Sequence, residues 1–118
     1  MKKCILILDD DVEILSVCKI ILEKQAYHVE VRTHCDNIIK DISELKPIMV
    51  LMDFWIPHMG GESATKLMKK NKGTRDIPVI LFSASSDIEE VCKRTNANGF
   101  LRKPFEIDTL LKIVKRHI

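Results

Sequence analysis

The stretch Ile48-Met49-Val50-Leu51-Met52-Asp53-Phe54-Trp55-Ile56-Pro57-His58-Met59-Gly60-Gly61 decides the fold. An unbroken apolar run delivers a carboxylate, and a turn containing Pro57 and two glycines follows at once. A short apolar run bounded by turn residues reads as a strand buried on both faces, the habit of parallel sheets covered by helices. Asp53 is then released at the carboxyl edge of that strand, where open α/β sheets place their ligand crevice. Three further polar signals close three other apolar runs: Asp9-Asp10-Asp11, Ser83-Ala84 and Lys103-Pro104. One crevice can hold them all.

Working outward from this stretch, short β-branched runs alternate with longer segments of helical period, which is the pattern of repeated βα units. Strands are expected over residues 3–8, 28–33, 48–53, 77–82 and 99–102. The intervening faces are Ile14, Cys18, Ile21, Leu22 and Gln25, then Ile38, Ile39, Ile42 and Leu45, then Ala64, Leu67 and Met68. Ile88, Val91 and Cys92 give the fourth, and Ile107, Leu110, Leu111 and Val114 the fifth. Spacings of three and four place each set on one side of a helix. Asp10 or Asp11 can cap the first helix, Pro47 follows the second, Gly60-Gly61 and Gly73 bracket the third, and Asn98-Gly99 closes the fourth. Right-handed crossovers then give a three-layer, doubly wound α/β fold whose parallel sheet has the order 2-1-3-4-5.

Composition narrows the classes. The 118 residues fit one domain, 1–118, with no second domain expected. Nineteen basic against 17 acidic side chains lack the excess that direct nucleic-acid binding asks for. Cys4, Cys18, Cys35 and Cys92 show no metal-ligand or disulfide spacing and read as free thiols of a reducing compartment, with cytoplasm the default. The first apolar run is cut short by Asp9-Asp10-Asp11, so no signal peptide or membrane span is expected there. The four histidines share no spacing and read as surface or loop residues, and Lys69, Lys70, Lys72 and Arg75 as a solvated helix end.

Several carboxylates in one crevice repel each other, so the cluster asks for a cation. Mg²⁺ suits it, because that ion takes hard oxygen ligands and commonly bridges a carboxylate to phosphate oxygens. A carboxylate beside it can attack phosphorus to give an acyl phosphate, while Lys103 supplies a fixed charge and the Ser83 hydroxyl a donor.

With these landmarks in this order, the chain resembles the receiver domains of two-component response regulators, chemotaxis regulators among them, over nearly its whole length. The resemblance implies a flavodoxin-like (βα)5 fold and a phosphorelay role. It implies that Asp53 is the phosphoacceptor, that Asp10 ligates Mg²⁺ directly and Asp9 through water, and that the Trp55 main-chain carbonyl adds a metal ligand. By the same likeness Ser83 bonds the phosphoryl group, Lys103 pairs with it, Pro104 is a candidate for a cis peptide, and Phe100 is the switch aromatic. The implied phosphodonor is a sensor histidine kinase or a histidine phosphotransfer protein, and the implied receiver of the signal is an output domain or a downstream protein. The chain would act on itself rather than turn over substrate as an enzyme. The resemblance implies signalling through the face formed by the fourth helix, fifth strand and fifth helix, where Lys93, Arg94 and Arg102 opposite Glu89 and Glu90 are compatible with a phosphorylation-dependent homodimer.

Two departures stand out. Ile56 replaces the usual Met before the proline, a volume-conserving change, and Trp55 stands where the family often has a small or polar residue. The Trp55 ring is expected either to shield the phosphoryl group from water or to anchor a partner. The segment from Ser83 to Lys103 looks slightly short, and Phe100, without a hydroxyl, is expected to favour a buried rotamer.

Blander readings exist for each residue alone. The acids at 9–11 suit a helix amino terminus, Asp53 suits an Asx turn, Ser83 a cap, and Lys103-Pro104 a turn. A rival function is an aspartate-nucleophile phosphatase using Asp9 and Asp11, which leaves Asp53 without a role. A flavodoxin-like cofactor binder wants a phosphate loop after the first strand, and none is there. A binding module that never takes phosphate is the last alternative.

Overall fold

The computed structural model describes residues 2–56 and 58–118, so the expectation that Pro57 shapes the turn after Asp53 lies outside the described residues. Five strands alternate with five helices: β1 (Cys4–Leu8), α1 (Val12–Glu23), β2 (His28–Arg32), α2 (Ile38–Leu45), β3 (Met49–Asp53), α3 (Gly61–Lys70), β4 (Val79–Ser83), α4 (Ile88–Thr95), β5 (Gly99–Arg102) and α5 (Ile107–Arg116). The sheet is parallel throughout, in the order β2-β1-β3-β4-β5.

The two-residue period of a strand sorts the central residues between two cores. Ile5, Ile7, Met49, Leu51, Ile80 and Phe82 face one side, where Leu15, Cys18 and Leu22 of α1 and Leu110, Ile113 and Val114 of α5 cover them. Leu6, Leu8, Val50, Met52, Val79 and Leu81 face the other, under Ile38 and Ile42 of α2, Ala64 and Met68 of α3, and Ile88 and Val91 of α4. Every residue of β3 and β4 is buried. These two central strands lack the polar alternation of a half-exposed sheet because neither of their faces meets water, whereas the edge strand β2, His28-Val29-Glu30-Val31-Arg32, alternates.

Several boundaries differ from the sequence reading. β4 begins two residues later than expected, because Pro78 has no N–H to give the ladder and the Ile77 amide closes a turn on the Thr74 carbonyl at 3.1 Å. It also runs on to Ser83, whose carbonyl accepts from the Lys103 amide at 3.0 Å. Gln25 lies past the end of α1, exposed, and the chain turns there through Ala26 at φ 69°. Leu15, absent from the expected face, takes the buried position. Leu67 and Ile107 were expected inward and are exposed. α4 ends at left-handed Asn96, before Asn98-Gly99.

The expected solvated helix end at Lys69 is instead a clamp. Its ammonium donates to the carbonyls of Arg75 and Ile77, both at 3.1 Å, and to Asn98 Oδ1 at 2.8 Å. Asn98 Oδ1 also accepts from the Val79 amide at 2.9 Å, which ties the turn before β4 to the turn before β5. The three acceptors match the three protons of an ammonium. His117, read as a surface residue, is half-buried with its ring between the carbonyl oxygens of Ile113 and Asn98, at 3.0 and 3.1 Å. Among the described residues no helix is long and apolar enough to cross a membrane.

Candidate functional site

The carboxyl ends of β1, β3, β4 and β5 bring Asp9, Asp53, Ser83 and Lys103 to one edge of the sheet. Asp9 follows β1 and is fully buried. Its Oδ1 accepts the Asp11 amide at 2.9 Å, and its Oδ2 accepts the Lys103 ammonium at 2.8 Å. Asp53, the last residue of β3, is 4% exposed. Its Oδ1 takes the same ammonium at 2.7 Å, and its Oδ2 takes the Trp55 amide at 3.0 Å. Asp11, next to Asp10, caps α1 through the Glu13 and Ile14 amides, which separates the capping acid from those that face the crevice.

Asp9, Asp10 and Asp53 each offer a carboxylate oxygen, and these oxygens lie within 4.8 Å of one another. Burial pushes the Asp9 and Asp53 carboxyls above the usual aspartate range, and Lys103 pulls them back without cancelling the effect. At Asp53 the charge of Asp9 adds to the rise. Burial alone would lower the Lys103 ammonium, but its bonds to Asp53 and Asp9 outweigh that and hold it above the ordinary lysine value. One ammonium therefore bonds two of the three acids, and the set of hard oxygen donors is left in need of further positive charge. The donor set fits Mg²⁺ at Asp9, Asp10 and Asp53.

Ser83 is buried at the end of β4, and its Oγ accepts the Ser85 amide at 3.0 Å, leaving its own proton free to donate. Ser85 in turn donates to Asp87. The Lys103–Pro104 peptide is cis. Phe100 is partly buried against the α4 side of the core, with the Arg102 guanidinium 5.6 Å from its ring centre. The Trp55 indole is 67% exposed and meets the Phe54 ring edge-on at 4.8 Å.

Gly61 is where the site most constrains side-chain choice. A Cβ there would lie 2.2 Å from the Asp53 carbonyl oxygen, so only glycine lets α3 begin against the end of β3. Glu62 beside it receives a two-pronged bond from Arg94 on α4, at 2.9 and 2.8 Å. That bond is the first cause of a Glu62 carboxyl lowered to about 2. Arg94 thus belongs to an α3–α4 clasp, leaving Lys93 and Arg102 on the face expected to pair. Burial raises the thiols of Cys18 and Cys35 to about 11 and about 12, as befits inert core sulfurs.

Sequence reasoning placed the acids, Ser83 and Lys103 at strand ends, and the fold brings these ends together. It missed Ser85 and the Glu62–Arg94 clasp, and it read Gly60-Gly61 as the start of the third helix, which holds, without the close approach of Gly61 to Asp53. Only the glycine pair at 60–61 carried a readable signal, as a position where backbone passes close to backbone.

The response regulator receiver domain family profile matches residues 5–115. The phosphate regulon transcriptional regulatory protein PhoB of Escherichia coli is 28% identical over 123 aligned positions, covering all of this chain and 54% of PhoB. The DNA-binding transcriptional regulator NtrC of Proteus hauseri is 29% identical over 114 positions, covering 95% of this chain and 24% of NtrC. The chain thus spans about half the length of the PhoB relative and about a quarter of NtrC. Among solved structures, the receiver domain of sensor histidine kinase PA1611 from Pseudomonas aeruginosa, with magnesium coordinated in its active-site cleft, superposes with a TM-score of 0.89. It is 25% identical, with 99% of this chain and 98% of that one covered. Chemotaxis response regulator CheY4 of Vibrio cholerae, 22% identical with both chains covered in full, shares the fold with a TM-score of 0.91.

Proposed function

Because the chain belongs to the response regulator receiver domain family and is a receiver domain of two-component signalling, we propose that Asp53 is its phosphoacceptor. The carrying observation is the convergence of Asp9, Asp10 and Asp53 within 4.8 Å, with Lys103 bridging two of them. An oxygen of Asp53 attacks the phosphorus of a phosphohistidine. The P–N bond breaks, its electron pair stays on the imidazole nitrogen, and that nitrogen takes a proton. Lys103 moves from the carboxylates toward a phosphoryl oxygen, and the Ser83 hydroxyl donates to another.

Mg²⁺ held by Asp9, Asp10, Asp53 and the Trp55 carbonyl would neutralise phosphoryl charge in this step. The metal in the PA1611 receiver domain supports the same assignment here. The phosphodonor is a sensor histidine kinase or a histidine phosphotransfer protein. An apolar groove beside Lys103, lined by Ile14, Val17, Ala84, Pro104 and Phe105, supports this by offering a donor protein a hydrophobic seat next to the reacting atoms. The unit 1–118 works in the cytoplasm on its own aspartate rather than as an enzyme on other substrates. It passes its state on through α4, β5 and α5 to an output domain or downstream protein, with homodimerisation through Lys93, Arg102, Glu89 and Glu90 as a second route. The phosphatase reading fares worse: its second acid, Asp11, is taken up in capping α1 through the Glu13 and Ile14 amides, and Asp53 would be left without a role.

Intact-mass analysis after incubation with acetyl phosphate and Mg²⁺ tests the assignment. One added phosphate is expected on the natural chain and none on Asp53→Asn. Equal labelling of both chains, or no labelling of either, overturns it.

A further inference from the structure

Two histidines read from the sequence as unrelated are neighbours in space. His34, in the loop after β2, and His58, in the loop after β3, have ring centres 5.4 Å apart and planes inclined by 31°. Both side chains are exposed, in a groove that also carries Asp36 and Asp41. The Met59 amide donates to Asp36 Oδ1 at 3.3 Å and joins the two loops. His58 holds a left-handed backbone at φ 68°. Thr33 Oγ1 lies 3.0 Å from His34 Nδ1. With the proton on Nδ1 donated to Thr33, the Nε2 lone pair of His34 is left for a ligand, the arrangement by which an outer hydroxyl orients a metal-binding imidazole. The charges lining the groove favour a cation: among its described residues Asp36 and Asp41 are acidic and Arg32 alone is basic, and that guanidinium is drawn to Asp41 at 3.7 Å and to Glu30 at 3.6 Å.

We propose that His34 and His58 form a binding site for a borderline-soft divalent ion of the Zn²⁺ class, with water completing the coordination and Asp36 and Asp41 supplying negative charge nearby. Imidazole selects such ions over Mg²⁺, whose all-oxygen preference is met at Asp9, Asp10 and Asp53, so the two sites divide by ligand chemistry. An ion there would pin together the loops after β2 and β3. The second loop also holds Trp55, whose amide bonds Asp53.

The test is a Zn²⁺ titration of the full chain at neutral pH with Mg²⁺ in excess, followed by calorimetry and by the imidazole signals in NMR. A single equivalent is expected, moving the His34 and His58 rings and leaving those of His28 and His117 in place. His34→Ala and His58→Ala should each weaken binding by about tenfold or more, and Thr33→Val by about tenfold through lost orientation. Heat that survives both histidine substitutions, ring shifts confined to His28 or His117, or no Zn²⁺ binding at all would overturn the proposal. The ring signals are read on the unaltered chain, so a substitution that impairs folding does not blunt the test. Failure here leaves the phosphoacceptor assignment untouched, since that rests on the mass shift at Asp53.

Discussion

Replacing Asp53 by Asn should make the Mg²⁺-free protein more stable, although it removes two ionic hydrogen bonds of a carboxylate. Carboxylate oxygens no more than 4.8 Å apart repel by at least about 3.5 kcal/mol at an effective dielectric of about 20. The Lys103 contact at 2.7 Å is worth about 6 kcal/mol on the same scale. Asp53→Asn deletes two repulsions and one attraction, a gain of at least about 1 kcal/mol before the relief of burying one charge fewer. Asn keeps an acceptor for Lys103 and for the Trp55 amide, so a net stabilisation of about 1–3 kcal/mol is expected, or about 3–6 °C in Tm per kcal/mol. The pH dependence follows from the raised carboxyls. A folded chain that holds protons more tightly than the unfolded one loses stability as pH climbs from about 3.9 through the folded pKa. Asp9 and Asp53 are both raised, so the natural chain should decline through that window and the variant less steeply. Below it both acids are neutral and the two chains converge. Thermal melts across pH, with and without Mg²⁺, measure this, and Mg²⁺ should erase the difference by stabilising only the chain that binds it. A variant that melts lower than the natural chain at neutral pH without Mg²⁺ would refute the account of the site as a frustrated acid cluster.

Gly61→Ala should cost about 1–3 kcal/mol in urea unfolding, because its Cβ meets backbone at Asp53; an unchanged midpoint would show slack at the start of α3. Glu62 titrates at about 2, so its contribution is complete above the ordinary glutamate value of about 4.3 and fades as pH falls toward the lowered one. Glu62→Gln should flatten that acid limb, and a carboxyl NMR titration of Glu62 with an ordinary midpoint would contradict the clasp. Trp55→Asn should shorten the life of the phosphorylated state, read as loss of the added mass with time. An unchanged or slower loss removes the shielding role and leaves the exposed indole as a partner anchor.

The central strands were legible because burial on both faces leaves unbroken apolar runs, as in Met49–Asp53, and their polar endings marked the site. Boundaries set by a single hydrogen bond were not. Where β4 starts depends on what Pro78 cannot donate, and where it stops depends on the Lys103 amide reaching the Ser83 carbonyl from another strand. Helix faces came through in their centres, as with Cys18, Ile42 and Leu110, and failed at their ends, where Leu67 and Ile107 keep the period and lose the cover. The pairs Lys69–Asn98, Glu62–Arg94 and His34–His58 were invisible for one reason: each joins residues more than twenty positions apart, and no local periodicity encodes such a meeting.

The Lys69 clamp gives α4 a fulcrum. It fastens the turns that feed β4 and β5 at the rim of the sheet opposite Asp53, while Arg94 moors the last turn of the same helix to α3. The first turn of α4 has no side-chain cap, and it is held by Ile88 in the core and by the Ser83–Ser85 loop that leads into it. A pull on Ser83 would therefore swing α4 like a lever, with the largest travel at Ile88 and the least at Thr95.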